Sequence, residues 1–146
     1  MKRACRIVPA LIILLFPTFT LCHAQQGSPV DVVESFSARY GGPGMDETAN
    51  YTTGHFRDNR PKSVWTIDTW KALQQMEYRR IDGAVIDSKI DDNRAVVVLD
   101  ARIGTVAGET NQKEIYYLIR QDRQWLIDQL QVTDEDIEIN AEKMKL

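Results

Sequence analysis

Cysteine and histidine are scarce in this sequence, and most of them lie near its N-terminus. The 146 residues include only two of each, at Cys5, Cys22, His23 and His55. If the N-terminal segment is cleaved, the remaining chain keeps only His55. A disulfide framework, a cysteine nucleophile and a Cys/His zinc site are then excluded.

Motifs that hold phosphates or metals are also missing. The sequence has no glycine-rich phosphate loop and no Gly-x-Ser-x-Gly. Asp91-Asp92-Asn93 resembles the start of a calcium loop, but the RAVVVL that follows supplies no alternating oxygen ligands. We therefore expect no metal site and no cofactor.

Residues 1–24 have the order of a secretory signal peptide. A basic start precedes an apolar run, and Ala24 is a small residue suited to cleavage. The run is shorter than the roughly 20 residues that span a bilayer, and Pro9 and Pro17 interrupt it. Two alternatives stay open: an uncleaved membrane anchor, and a lipoprotein anchored through Cys22, where Leu21 is bulkier than the usual preceding residue. We expect export to the periplasm or the medium, with no stable membrane span after cleavage.

Acidic residues outnumber basic ones, and more so after cleavage. The whole chain has a formal charge of −3, and loss of three basic residues leaves 15 Lys and Arg against 21 Asp and Glu, a charge of −6. Nucleic acid and anionic membranes are therefore not expected partners. We predict one domain over 25–133 and a charged C-terminal tail over 134–146.

The first half of this domain predicts helices. Ser28 is a good N-cap and Pro29 suits the first helical position, so residues 28–42 predict a helix that ends at its glycines. Residues 45–56 predict a weaker second helix with Ala49 and Tyr51 facing inward.

A third helix is predicted over 61–80, with Asp82-Gly83 as its joint to a sheet. Four residues fall on one face at helical spacing: Trp65, Thr69, Leu73 and Met76. The alternative is a break after Gln75, with 76–81 as a strand and Asp82-Gly83 as a hairpin turn.

The second half predicts strands, and therefore an α+β domain with an antiparallel sheet of four or more strands. The strands are predicted at 84–90, 94–103, 113–120 and 124–132. Residues 91–93 form a short turn between the first two, and 104–112 form a longer connection before the third.

The last hairpin is apolar on both faces. With Arg120 opposite Trp125, one face carries the pairs Leu118–Ile127 and Tyr116–Gln129. The other face carries the pairs Ile119–Leu126, Tyr117–Asp128 and Ile115–Leu130. Because an antiparallel sheet usually exposes one face to water, we expect helices on one side and curvature, a ligand or a twofold homodimer on the other.

These elements resemble the NTF2-like superfamily, in which a strongly curved antiparallel sheet wraps a helix to form a cone. The resemblance rests on three short stretches. These are Arg94-Ala95-Val96-Val97-Val98 after an acidic turn, an aromatic-x-Leu at 116–118 and a Trp-x-Ile at 125–127. Within that superfamily, the sequence is most similar to secreted bacterial domains of unknown function such as DUF4878. The resemblance implies a pocket between sheet and helices, often a homodimer, and no particular activity.

Candidate site residues follow partly from the resemblance, because enzymes of this superfamily use a pocket carboxylate or histidine as a base. The weak catalytic candidates are His55, Asp100 and Arg102. A lone histidine beside a loop is more often a surface residue, and Asp100 with Arg102 is more often a solvated ion pair on an outward face. Five aromatic residues are candidates for lining a pocket, although such residues are more often core: Tyr40, Tyr51, Trp65, Tyr116 and Trp125.

Two function classes remain from the sequence. The favoured one is an exported, non-enzymatic domain that binds a small apolar ligand or a partner protein. The alternative is a cofactor-free dehydratase or isomerase working from Asp100 or His55. An enzyme needs convergent polar groups at the pocket floor, whereas a binding domain can leave it apolar.

Overall fold

A computed structural model describes residues 27–134, in which helical segments precede a four-stranded antiparallel sheet. The predicted α+β class is confirmed. The predicted signal peptide and all but the first residue of the predicted tail lie outside the described residues, and the domain boundaries stay predictions.

The first helix, α1 (Pro29–Arg39), forms as its sequence predicts. The Ser28 hydroxyl accepts from the Asp31 amide at 3.2 Å, and the Asp31 carboxylate accepts from the Ser28 amide at 2.7 Å. This reciprocal capping box satisfies two amides at the helix start. Val33 and Phe36 are fully buried against the sheet.

The second predicted helix is replaced by two 3-10 helices, Met45–Tyr51 and His55–Arg57. Neither has a side-chain N-cap, and the Thr52 hydroxyl donates to the Ala49 carbonyl at 3.0 Å. Such local bonds compete with α-helix formation. Ala49 is buried as predicted, whereas Tyr51 is only half-buried.

The third helix, α2 (Lys62–Gln75), is shorter than predicted, and the joint at Asp82-Gly83 is wrong because both residues lie inside the first strand. The helix ends in a Schellman motif, in which Tyr78 N–H donates to Leu73 O and Glu77 N–H donates to Gln74 O. Glu77 takes the left-handed conformation with φ 51°. Glycine usually marks this position, so a glutamate there hides the helix end from sequence reading.

The sheet has the order β1 (Arg79–Ile90), β2 (Arg94–Thr105), β3 (Gly108–Gln121) and β4 (Gln124–Thr133). The alternative break after Gln75 is closer to the structure, although Asp82-Gly83 is not a hairpin turn. The long connection expected over 104–112 is also wrong, since only residues 106 and 107 separate β2 from β3. Gly108, with φ 116°, allows this tight turn.

The last hairpin has the predicted register only near its turn, at Arg120–Trp125, Ile119–Leu126 and Leu118–Ile127. Beyond those pairs β4 carries one extra residue, Asp128, in a β-bulge. The remaining predicted pairs are wrong by one position, because the observed ones are Tyr117–Gln129, Tyr116–Leu130 and Ile115–Gln131.

The two faces of the sheet have different cover. The inner face, which includes Val97, Leu99 and Tyr116, packs under α1 and the 3-10 helices in the main core. The outer face carries a separate small cluster of Val96, Val98, Ile115 and Tyr117. Val98 is only 1% exposed, because side chains of neighbouring strands surround it.

Candidate functional site

A cavity of about 530 Å³ opens between α2 and the inner face of the sheet. The apolar part of its wall comes from both layers: Ala72, Leu73, Met76, Ile103, Leu130 and Val132. Three threonines and the ion pair of Arg60 with Asp68, at 3.5 Å, also line it. One end is polar, with Tyr40, Tyr78, Gln112 and Glu114. We call the whole cavity the inner pocket.

Glu114 organises the polar end of the inner pocket. It is 3% exposed, and each of its two carboxylate oxygens accepts two hydrogen bonds. One oxygen accepts from Arg80 at 2.8 Å and from Gln112 at 2.9 Å. The other accepts from Arg80 at 2.8 Å and from the Tyr116 hydroxyl at 2.6 Å. These donors occupy the four acceptor positions that a carboxylate offers.

Arg80 reaches Glu114 by lying across Gly83 of its own strand. A Cβ on Gly83 would meet Arg80 Nη1 and Leu99 Cδ2, each at 3.2 Å. The Arg80 side chain is 14% exposed, and its Nε and Nη1 have no hydrogen-bond partner within residues 27–134. Burial by itself would lower the pKa of Arg80, but Glu114, Tyr78 and Tyr116 together raise it. Arg80 therefore stays charged and balances the carboxylate.

Three tyrosine hydroxyls lie around this ion pair. Burial, Tyr78 and Glu114 raise the pKa of Tyr40 to about 12, against a smaller opposing effect of Arg80. Burial is also the largest cause that raises the pKa of Tyr78 and, more strongly, of Tyr116. All three phenols therefore stay protonated at neutral pH and can donate hydrogen bonds.

The predicted catalytic candidates do not line the inner pocket. The side chain of His55 is 65% exposed, and its Nδ1 lies 3.2 Å from Asp128 Oδ2. Asp128 also accepts from the Thr53 hydroxyl at 2.7 Å, so the β4 bulge anchors the neighbouring loop.

Asp100 and Arg102 lie exposed on the outer face, where their strand alternates with the inward Leu99 and Ala101. Arg102 pairs with Asp82 at 3.3 Å. This is the outward face that the sequence favoured, but Arg102 forms its ion pair with Asp82 and not with Asp100.

The aromatic candidates are spread over several places. Tyr40 lines the inner pocket, whereas Trp65 and Tyr116 are buried in the core. Tyr51 lies under the Arg39 guanidinium at 5.8 Å. Trp125 lines a different cavity of about 590 Å³, together with Ser28, Asp91 and Arg120 among others.

Sequence reading missed Glu114, Arg80, Tyr78 and Gln112. A signal for Glu114 was present, because it lies two residues before Tyr116 and therefore faces the same side of its strand. Its partner Arg80 was hidden by the assignment of 61–80 to a helix.

Within the described residues, no group of three or more His, Cys, Asp or Glu could hold a metal ion. No helix between residues 27 and 134 is long and apolar enough to cross a bilayer.

Comparison with known proteins finds structures with a similar fold but no match to a protein family or to a curated protein. A SEC-C motif-containing protein from Rhodopseudomonas palustris is similar in structure, with a TM-score of 0.58 at 19% identity over 73% of this chain and 80% of that chain.

Two proteins without a stated function are also similar. A domain of unknown function with a cystatin-like fold from Nostoc punctiforme has a TM-score of 0.55 at 12% identity, over 80% of this chain and 81% of that chain. A DUF4783 family protein from Bacteroides ovatus has a TM-score of 0.50 at 18% identity, over 73% of this chain and 94% of that chain. Helices followed by an open antiparallel sheet thus give this chain a cystatin-like fold, the cone architecture that its sequence predicted.

Proposed function

We propose that this protein is an exported, non-enzymatic domain that holds a small, largely apolar molecule in the inner pocket. The observation that carries the proposal is the pocket itself, with apolar walls from α2 and the sheet and one polar end at Glu114. Ligand sites of about 300–1,000 Å³ commonly have this composition, in which a few polar groups orient an otherwise apolar molecule. The cavity of about 530 Å³ falls within that range.

The saturation of Glu114 favours binding over catalysis. A general base must offer a free lone pair to the proton that it removes. Both oxygens of Glu114 already accept from Arg80, and each accepts from one further side chain. Proton transfer to Glu114 would therefore cost an existing hydrogen bond in a buried site.

A cofactor-free dehydratase or isomerase is the second candidate, because the pocket end is polar and not purely apolar. Such an enzyme would have to work from Glu114 and the nearby phenols, since His55 and Asp100 lie elsewhere. Its test is a Glu114→Gln variant assayed against the wild type for loss of any turnover found. Binding that persists in this variant without turnover in either protein would exclude the enzyme.

A blocking variant tests the binding function. Ala72 lines the pocket on α2, so Ala72→Phe should fill part of the cavity, whereas Gln75→Phe lies on the same helix outside the pocket lining. We expect the neutral fluorescent probe N-phenyl-1-naphthylamine to bind the wild type and Gln75→Phe alike, and to bind Ala72→Phe at least about tenfold more weakly. Equal binding to all three proteins would place the probe outside the inner pocket and contradict the proposal.

Export is proposed from residues 1–24, with cleavage after Ala24. The intact mass of protein recovered from the periplasm or the medium tests this. A species that begins at Met1 would contradict it, and a lipidated Cys22 would establish the anchored alternative.

A twofold homodimer through the outer face is also proposed, because that face carries the apolar cluster around Val98 beside the exposed Ile86. A partner protein on the same face is the alternative. Sedimentation at micromolar concentration decides between them, since a monomer would remove the homodimer from the proposal.

A further inference from the structure

Two tyrosines at the polar end of the inner pocket have hydroxyl groups that donate no hydrogen bond to the described residues. Tyr40 and Tyr78 line this end, and neither hydroxyl donates to an acceptor within residues 27–134. The Tyr78 oxygen accepts from Arg80 Nη2 at 3.4 Å, which leaves its O–H free to donate elsewhere. Glu114 does not accept from them, because both of its oxygens are engaged by Arg80, Gln112 and Tyr116. Two phenol O–H groups therefore remain for whatever occupies the cavity.

The packing of these two tyrosines holds their hydroxyls in place. The Tyr40 ring stacks on Phe36 at 5.2 Å between centroids and meets the Tyr78 ring edge-on at 5.8 Å. The Tyr78 ring also packs directly on Gly41, so closely that a Cβ atom added to this glycine would lie 2.4 Å from the ring. Donors on such immobilised rings lose little rotamer entropy when they bind a ligand.

The charged groups of the inner pocket are paired, which disfavours an added anion. Arg60, which also lines the cavity, lies 3.5 Å from Asp68. Arg80 is committed to Glu114 through one nitrogen, and its other two nitrogens are buried and not part of the pocket lining. Burial and Glu114 both raise the pKa of Tyr40, so the surroundings of that hydroxyl oppose added negative charge. A carboxylate would meet the same opposition.

We propose that the inner pocket selects uncharged molecules that carry a carbonyl-type acceptor, bound by the Tyr40 and Tyr78 hydroxyls while the apolar part lies against α2 and β4. This deepens the proposed binding function and rests on it. The two tyrosines determine specificity, and no bond in the ligand is made or broken.

Three naphthalenes of similar shape test the proposal by displacement of N-phenyl-1-naphthylamine. 2-Acetylnaphthalene has the carbonyl, 2-isopropenylnaphthalene replaces its oxygen by a methylene group, and 2-naphthoate is anionic. We expect the ketone to bind about tenfold more tightly than the alkene, because a site that offers unpaired donors rejects a ligand without an acceptor. The naphthoate should bind more weakly than the ketone.

Variants assign the preference to the tyrosines. Tyr40→Phe and Tyr78→Phe keep the rings, so each should reduce the preference for the ketone by about three- to tenfold and leave the affinity for the alkene unchanged. Tyr117→Phe is the matched control, since that ring lies on the outer face. The double variant should bind ketone and alkene equally.

The outcomes separate this inference from the binding function beneath it. Equal affinity of the wild type for ketone and alkene, with both blocked by Ala72→Phe, would overturn the inference and leave the binding function standing. Tighter binding of the naphthoate than of the ketone would overturn the selection of uncharged ligands. Failure of the wild type to bind the probe or any of the three would contradict the binding function itself.

Discussion

Two arginine–carboxylate pairs lie on opposite faces of the same sheet and meet opposite surroundings. On the inner face Arg80 binds both oxygens of a nearly inaccessible Glu114 at 2.8 Å. On the outer face Arg102 lies 3.3 Å from Asp82, and both side chains are about half exposed or more. Both pairs join an arginine to a carboxylate, and the helical layer over the inner face makes the difference.

The difference shows that strand position, not residue type, determines what a charge does here. An exposed pair gains little because water screens it and long side chains lose entropy on pairing. A buried pair pays a large desolvation penalty, so loss of one partner leaves an uncompensated charge in the interior. Four variants or conditions test this contrast.

Removal of Glu114 should have the largest effect. Glu114→Ala leaves the Arg80 guanidinium buried without its carboxylate, so the free energy of unfolding should fall by about 3–5 kcal/mol. Urea denaturation measures it, with Glu109→Ala as the control because Glu109 forms an exposed pair with Arg79 at 3.5 Å. Equal stability of the two variants would show that the inner pair is solvated in solution.

High pH should weaken the inner face selectively. The pKa of Tyr40 is raised to about 12 in the folded protein, above its ordinary value of about 10. The protonated Tyr40 hydroxyl therefore contributes about 2–3 kcal/mol to the free energy of unfolding. This contribution is fully present below pH 10 and is lost as the pH rises through 12. The loss of unfolding free energy between those pH values should shrink in Tyr40→Phe and persist in Tyr117→Phe. An unchanged profile in Tyr40→Phe would contradict the burial of that hydroxyl.

Two strand glycines give a smaller contrast. The methyl group added by Gly83→Ala would press on the Arg80 guanidinium and on Leu99, both of which are held in place. The free energy of unfolding should therefore fall by about 1–2 kcal/mol. Gly104→Ala presses only on Arg79, whose side chain is 67% exposed and can move away. Thermal melts of both variants should therefore differ, and a Gly104→Ala protein as unstable as Gly83→Ala would refute the assignment of rigid and mobile arginines.

Loss of the outer pair should have the smallest effect. Arg102→Ala should change the free energy of unfolding by less than about 0.5 kcal/mol, because exposed ion pairs contribute little. Urea denaturation at low and high salt checks this. A loss above about 1 kcal/mol would mean that the outer face is covered in solution, as in the proposed homodimer.

Most of the fold could be predicted from local signals. The N-cap at Ser28 and the β-branched runs of the strands are encoded in neighbouring residues, and both were found. The end of α2 was missed because Glu77 replaces the expected glycine. The bulge at Asp128 was missed because its side-chain partner is the distant Thr53, whose hydroxyl donates to the Asp128 carboxylate.

Little of the candidate site could be predicted, for a related reason. Glu114 and Arg80 are 34 positions apart, and each looks like an ordinary surface charge in its own segment. Only the strand boundary at Arg79 places Arg80 on the inner face beside Glu114. An error in one helix end therefore hid the whole polar end of the pocket, whereas Tyr40 was found because it lies on the helix with the clearest signals.

The contact between the Thr52–Thr53 segment and β4 has a consequence for how the chain completes its folding. The three strand pairings join neighbours in sequence, so each closes a short loop at little entropic cost. The amide of Thr53 instead donates to Ile127 O at 2.9 Å, and its hydroxyl bonds a residue 75 positions away. The Thr52–Thr53 segment is therefore fixed to the sheet only when β4 is in place, and that strand also supplies Leu130 and Val132 to the pocket wall. A ligand of the proposed pocket would thus recognise only the finished fold, and its binding would protect the chain against proteolysis by mass action.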